Sequence, residues 1–242
     1  MNLTKASTAV AGVAAAVTLA LAANVEAVLI TNGFTFAVAS DGADQDTGTH
    51  FHSNTGGALG NPAGKAEVGR FLTEEVRGLS EYDITSISTL TSAFVTFNVF
   101  NQGGLFNGDN DQPFSGRIFV DAYDGNNLED ISDYQAASVG AVGSFVVTGN
   151  PAPSPAVGSI FSFDVTALLN AAILGGDTSF GIRLVEDRTN ADYANSLAWT
   201  FDNFRLTTDD QTTQPTVPVP GTLALLGLGL AAFAISRRKA TQ

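Results

Sequence analysis

Between residues 28 and 206 the chain alternates apolar and polar side chains in short stretches, which is the period of a strand with one buried face. Ala93, Val95, Phe97 and Val99 fall on one side, Thr96 and Asn98 on the other. Ile118, Val120 and Ala122 alternate in the same way with Arg117, Phe119 and Asp121. Further strand candidates are Phe34 to Ser40, Ala66 to Leu72, Gly143 to Thr148, Ser159 to Val165, Ser179 to Val185 and Leu197 to Leu206. Clusters of Gly, Asn, Asp and Pro, notably Asn101 to Pro113 and Gly149 to Pro155, separate them. The stretch Asp164 to Gly176 breaks the alternation. There Thr166 or Asp164 can cap a helix, Leu168, Leu169, Ala172 and Ile173 form one apolar face, and Gly175 can close it. About eight strands with polar connections and one short helix predict an all-β fold: an antiparallel β-sandwich of jelly-roll type over residues 28–206.

Different patterns occupy the two ends. Lys5 precedes a nearly unbroken small and apolar run from Ala9 to Ala22, and Val25 and Ala27 are small enough for a signal peptidase. Residues 1–27 therefore read as a signal peptide cut after Ala27, with Ala22 as the runner-up, because the run falls short of the roughly 17–25 residues of a spanning helix. At the other end a polar linker, 207–216, leads into Val217, Pro218, Val219 and Pro220, then an apolar segment over 221–236. Arg237, Arg238 and Lys239 follow as a cytoplasmic stop. Gly221, Gly227 and Gly229 weaken this segment as a lasting helix, which favours a transient membrane anchor.

The order of Pro-rich motif, Gly- and Leu-rich helix and basic cluster resembles the PEP-CTERM sorting signal of Gram-negative bacteria. That resemblance implies an exported protein, held transiently in the inner membrane and cut near the Pro motif by an exosortase, a membrane-embedded cysteine transpeptidase. The usual motif is Val-Pro-Glu-Pro, and Val219 stands where Glu is commonest. The resemblance covers residues 217–239 and speaks of destination, the cell surface or the extracellular matrix, rather than of what the exported domain does.

Without its ends the chain keeps about 190 residues, enough for one domain with a real core. It contains no cysteine, which excludes disulfides, Cys metal sites and Cys nucleophiles. Net charge is −13, or −16 for the exported part once Arg237, Arg238 and Lys239 are set aside and Lys5 and Glu26 cancel. Such an acidic chain without a basic stripe is not a nucleic-acid binder. Divalent cations, neutral glycans or basic proteins remain as partners, beside the simpler reading that acidity maintains solubility.

Two loops gather hard oxygens of the kind Ca²⁺ takes: Asp41, Asp44 and Asp46, and Asp121, Asp124, Asn126, Glu129 and Asp130. Neither has full EF-hand spacing, and Asp and Asn bonding their own backbone in turns is the competing reading. His50 and His52 would share one face of a strand, but spacing alone supplies no third ligand, which favours ordinary surface histidines. Glu74 and Glu75, with Glu81 and Asp83 nearby, are acids, yet adjacent residues of an extended chain face opposite sides. No nucleophile elbow, His-Glu-x-x-His or phosphate loop is present, so the chain reads as non-catalytic, with a polysaccharide hydrolase or lyase as the outside alternative.

Tyr82, Tyr123, Tyr134, Tyr193 and Trp199 are candidates for stacking on sugar, Tyr123 foremost because it adjoins the second acidic loop. The phrases Phe161-Ser162-Phe163-Asp164-Val165-Thr166, Phe180-Gly181-Ile182-Arg183-Leu184 and Phe201-Asp202-Asn203-Phe204-Arg205-Leu206 make the central span similar to secreted jelly rolls related to carbohydrate-binding modules. This implies an exopolysaccharide-associated, glycan-binding protein, with a purely structural matrix or biofilm protein as the alternative.

Overall fold

The computed structural model describes residues 28–53 and 63–212. The signal-peptide region with Ala27 and the whole tail, Val217 to Pro220 and Arg237 to Lys239 included, lie outside the described residues. Among those described, the chain forms eleven strands: β1 (Leu29–Asn32), β2 (Phe34–Ser40), β3 (Gly48–Ser53), β4 (Ala66–Phe71), β5 (Glu74–Asp83), β6 (Phe94–Asn101), β7 (Gly116–Tyr123), β8 (Ser138–Val147), β9 (Ile160–Asp164), β10 (Ser179–Glu186) and β11 (Ala198–Thr207). A 3-10 turn (Ile131–Gln135) precedes β8, and one helix, α1 (Thr166–Gly175), joins β9 to β10. The all-β, antiparallel character and the single short helix agree with the sequence pattern. Three strands, β1, β3 and β5, were not among the alternating stretches.

All pairings are antiparallel and link the strands into one sheet, ordered β8-β7-β10-β5-β4-β11-β6-β9, with β2 and β3 attached at β5 and β1 at β11. Two strands change partner along one edge. Val76 of β5 is flanked by Ala39 and Gly69, whereas Gly78 is flanked by Ala37 and Leu184. Hence β2 runs along one edge of β5 while β4 and β10 divide the other. On β11, β6 holds one edge, and β4 and β1 divide the other. The chain crosses between the two halves of the sheet at Gly33, where β1 leaves β11 and β2 joins β5, and again at Gly69 within β4.

These crossings roll the sheet up until it is nearly closed. No ladder joins its last strands among the described residues; instead Phe145 of β8 meets Phe161 of β9 at 4.0 Å between ring centroids. Phe97 lies at the centre of this aromatic group, stacked on Phe204 at 4.7 Å and edge-on to Phe201 at 5.6 Å. Trp199 is fully buried and donates its indole N–H to the Phe114 carbonyl at 2.9 Å, so its polar atom is satisfied inside the core. Helix α1 lays Leu169 into the core, with Leu168, Ala172 and Ile173 packed against it. Gly176 at φ 84° closes the helix, one residue beyond the Gly175 expected, because it adopts the left-handed conformation that lets its N–H reach back to Ala172 and Ile173.

Candidate functional site

The outer face of β5, β10 and β7 carries an unusual share of charge. On β10 Ile182 and Leu184 enter the core while Arg183 and Val185 face out; on β7 Ile118, Val120 and Ala122 enter it while Phe119 and Asp121 face out. Register puts Arg183 beside Asp121 on one side and Leu79 on the other.

A cover lies over part of this face. The 3-10 turn sets Tyr134 and Ile131 on Phe36, Val38 and Leu79, forming a second, smaller apolar cluster. Two arginines staple it down. Arg183 Nη1 donates to the carbonyls of Asp133, Tyr134 and Ala136 at 3.2, 3.0 and 2.9 Å, while its Nη2 pairs with Asp121 at 2.8 Å. Arg77 donates to Tyr134 O at 2.7 Å and lies 3.9 Å over the Tyr134 ring, a cation–π contact. Beyond the cover the face stays open as a groove of about 350 Å³ lined by Arg77, Phe119, Asp121, Ala141, Arg183 and Val185 among others. Phe119 is 39% exposed there.

Beneath the cover sits Glu81, fully buried. It accepts from Tyr123 OH at 3.1 Å, Ser179 Oγ at 2.9 Å, and the backbone N–H groups of Asn126 and Asn127 at 2.9 and 2.7 Å. Burial, and then the adjacent charge of Glu81, push the Asp133 carboxyl up to about 7. A second polar cluster centres on Glu75, which accepts from Arg77 Nε and Arg188 Nε, each at 2.7 Å, and from Tyr193 OH.

The candidates read from the sequence fall as follows. Tyr123 is 0% exposed, its hydroxyl spent on Glu81, so its ring offers no face to a sugar and the stacking role expected of it is corrected. Tyr82, Tyr134 and Trp199 are likewise buried. In the first acidic loop Asp41 accepts from the N–H groups of Ala43 and Asp44, Asp44 from that of Asp46, and Asp46 pairs with Arg188. In the second, Asp121 is held by Arg183 and Ser138, Asp130 caps the 3-10 turn, and Asp124 lines a small pocket beside α1. Among the described residues no three carboxylates of either loop come together as a metal-sized group. The surface reading of the histidines holds for His50 alone: His52 is 4% exposed. Glu74 and Glu75 diverge, as adjacent residues of a strand must, Glu75 into its buried ion pairs and Glu74 toward His50. Missed entirely were Arg77 and Arg183, whose roles depend on cross-strand register that no local pattern reveals.

Among the described residues no helix is long and apolar enough to cross a membrane. Residues 216–239 match the PEP-CTERM protein-sorting motif. The chain is thus an exported, envelope-associated protein, sorted through its C-terminal tail and processed by an exosortase during export. Comparison with curated proteins gives no match.

Proposed function

We propose that the exported domain is a non-catalytic β-sandwich of jelly-roll type, akin to carbohydrate-binding modules, that holds glycan at the cell surface or in the exopolysaccharide of a Gram-negative bacterium. The observation that carries this reading is a sorting tail joined to a β domain with an open groove. Phe119, 39% exposed with the Arg117 guanidinium 6.0 Å over its ring, gives that groove an aromatic side chain, and Arg77, Asp121 and Arg183, paired with each other or with the cover, give it a fixed polar wall. Rings that stack on sugar with polar groups at their edge are what neutral glycan recognition needs. Strong overall acidity agrees with a neutral ligand rather than a polyanion. Glu75 and Glu81, two of the acids weighed for glycoside hydrolysis, have no exposed surface and are surrounded by donors, so neither presents a carboxylate to a substrate.

The test is binding of the exported protein to a panel of neutral and acidic polysaccharides, alongside Phe119→Ala. Saturable binding that falls about tenfold in the variant, the loss of a stacking contact worth roughly 1–1.5 kcal/mol, supports the groove. Undiminished binding in Phe119→Ala places the ligand elsewhere. No binding to any polysaccharide leaves the purely structural matrix role, and release of shortened products would overturn the non-catalytic reading.

A further inference from the structure

His50 and His52 share one face of β3, but no local pattern makes Glu74 their neighbour, since β2 lies between β3 and the strand that carries it. The curled sheet nevertheless brings one donor atom of each within 4.8 Å of the other two. The geometry points to a binding site for a borderline divalent transition ion of the Zn²⁺ class, formed by His50, His52 and Glu74 and independent of the glycan groove.

The hydrogen bonds around the two imidazoles prepare them for this. Nε2 of His52 lies 2.9 Å from Glu67 Oε1. Glu67 accepts at both oxygens, from Asn110 Nδ2 and from the Leu105 N–H at 2.9 Å, so Nε2 is the nitrogen that donates to it, and in the neutral ring Nδ1 is the one with a lone pair for an ion. The ring is fixed as well as the tautomer, being wedged between Phe71 and Phe106 at centroid distances of 5.1 and 4.5 Å. A buried carboxylate orienting a histidine through its far nitrogen is the outer-shell arrangement that metal-binding imidazoles use. His50 repeats the logic at the surface. Its Nδ1 lies 3.0 Å from Thr49 Oγ1, whose hydroxyl donates to Ala39 O, which leaves Nε2 facing Glu74 Oε2 at 3.5 Å.

Around a tetrahedral Zn²⁺ with bonds near 2.0–2.1 Å, neighbouring ligand atoms stand about 3.3 Å apart. The His50–Glu74 pair is already close to that spacing. The remaining contraction falls on two side chains with room to turn, since those of His50 and Glu74 are 48% and 26% exposed, while His52 forms a fixed floor. Two imidazoles and one carboxylate favour Zn²⁺, Cu²⁺ or Ni²⁺ over Ca²⁺, which takes an all-oxygen set. The chain has no cysteine, and among the described residues His50, His52 and Glu74 are the group of donors with this spacing. The His52–Glu67 bond alone would account for a buried structural histidine, but it gives no reason for an exposed His50 and Glu74 to converge on the same point.

The experiment is a calorimetric titration of the untagged protein, recovered from cells and stripped by chelator, with Zn²⁺ alone. Saturation at one equivalent and a rise in melting temperature are expected, because an ion bound only by the folded state stabilises it. His50→Ala and Glu74→Gln should each weaken binding at least tenfold while leaving the metal-free melting temperature near that of the parent. Co²⁺ in the same site should give a visible ligand-field spectrum that His50→Ala abolishes. His52→Gln removes the anchor and endangers the fold, so the decision rests on the two exposed positions. Failure of the parent protein to saturate, or unchanged binding in both His50→Ala and Glu74→Gln, overturns the site.

Discussion

Glu81 has no exposed surface, and its burial is tolerable because four donors surround it, two of them backbone N–H groups of the loop it pins. Removing one donor leaves three, so Tyr123→Phe should destabilise the protein by only about 1 kcal/mol. It should leave polysaccharide binding untouched, since the ring is inside; a denaturation curve and the binding panel check the two halves. At Asp133 burial, and then the adjacent Glu81, raise the carboxyl pKa. Its folded pKa of about 7 lies above the ordinary 3.8, so the folded state keeps a proton that the unfolded chain has lost. That contribution is complete below about pH 4 and disappears as pH rises through 7. Asp133→Asn retains an acceptor for the Asp130 N–H and cannot ionise, so the fall in melting temperature between pH 5 and pH 8 should shrink by a few degrees in the variant.

Among the elements, β5 shows what the sequence could and could not disclose. Strands such as β2 and β10, whose apolar residues alternate or run together, were legible, as was α1. The run Glu74-Glu75-Val76-Arg77-Gly78-Leu79-Ser80-Glu81 looks like solvated loop, because four of its eight side chains are charged. It nevertheless lies in the middle of the sheet order, its buried carboxylates Glu75 and Glu81 met by the Arg188 guanidinium and by the hydroxyls of Tyr193, Tyr123 and Ser179, all supplied from distant segments. The His50–His52–Glu74 convergence was hidden for the same reason: it depends on which strands become neighbours. Element crossings carry their own test. Gly69 sits at φ 136°, and a Cβ there would lie 2.3 Å from Leu197 O, the carbonyl that accepts from Arg70 N. Gly69→Ala should therefore cost about 2–3 kcal/mol, seen as a lowered urea midpoint with an unchanged slope.

Over the whole molecule, three buried acids set opposing limits on pH. Burial pushes the Glu186 carboxyl up to about 8 against the hydrogen bond from Asn190, so its contribution, like that of Asp133, is lost on the alkaline side. For Glu75 burial acts in the same direction but is outweighed by Arg188, Arg77 and Tyr193, which hold its pKa below the ordinary 4.5; its contribution is lost as pH falls through that lowered value. From these three groups stability should thus peak near pH 4 and fall toward pH 8, and melting curves from pH 3 to 9 would show it. The tail offers a separate test. If an exosortase cuts near Pro220, mass spectrometry of the mature protein should find a C-terminus before Gly221, and Val219→Glu should leave processing unchanged or improve it. A surface protein that still ends at Gln242, or loss of processing in the variant, would refute this register of the motif.

The pairing of the first strand with the last has a consequence for the order in which the protein is made. Leu29 of β1 is partnered by Thr207 of β11, and β11 also supplies the partner of β6 and of β4. A chain threaded through an export channel from its N-terminus presents β11 last, and until it emerges β1, β6 and half of β4 lack the strand they share. Contacts this distant in sequence close late and slowly. In a chain exported in that order, the sheet is completed only once β11 has emerged, just ahead of the sorting tail.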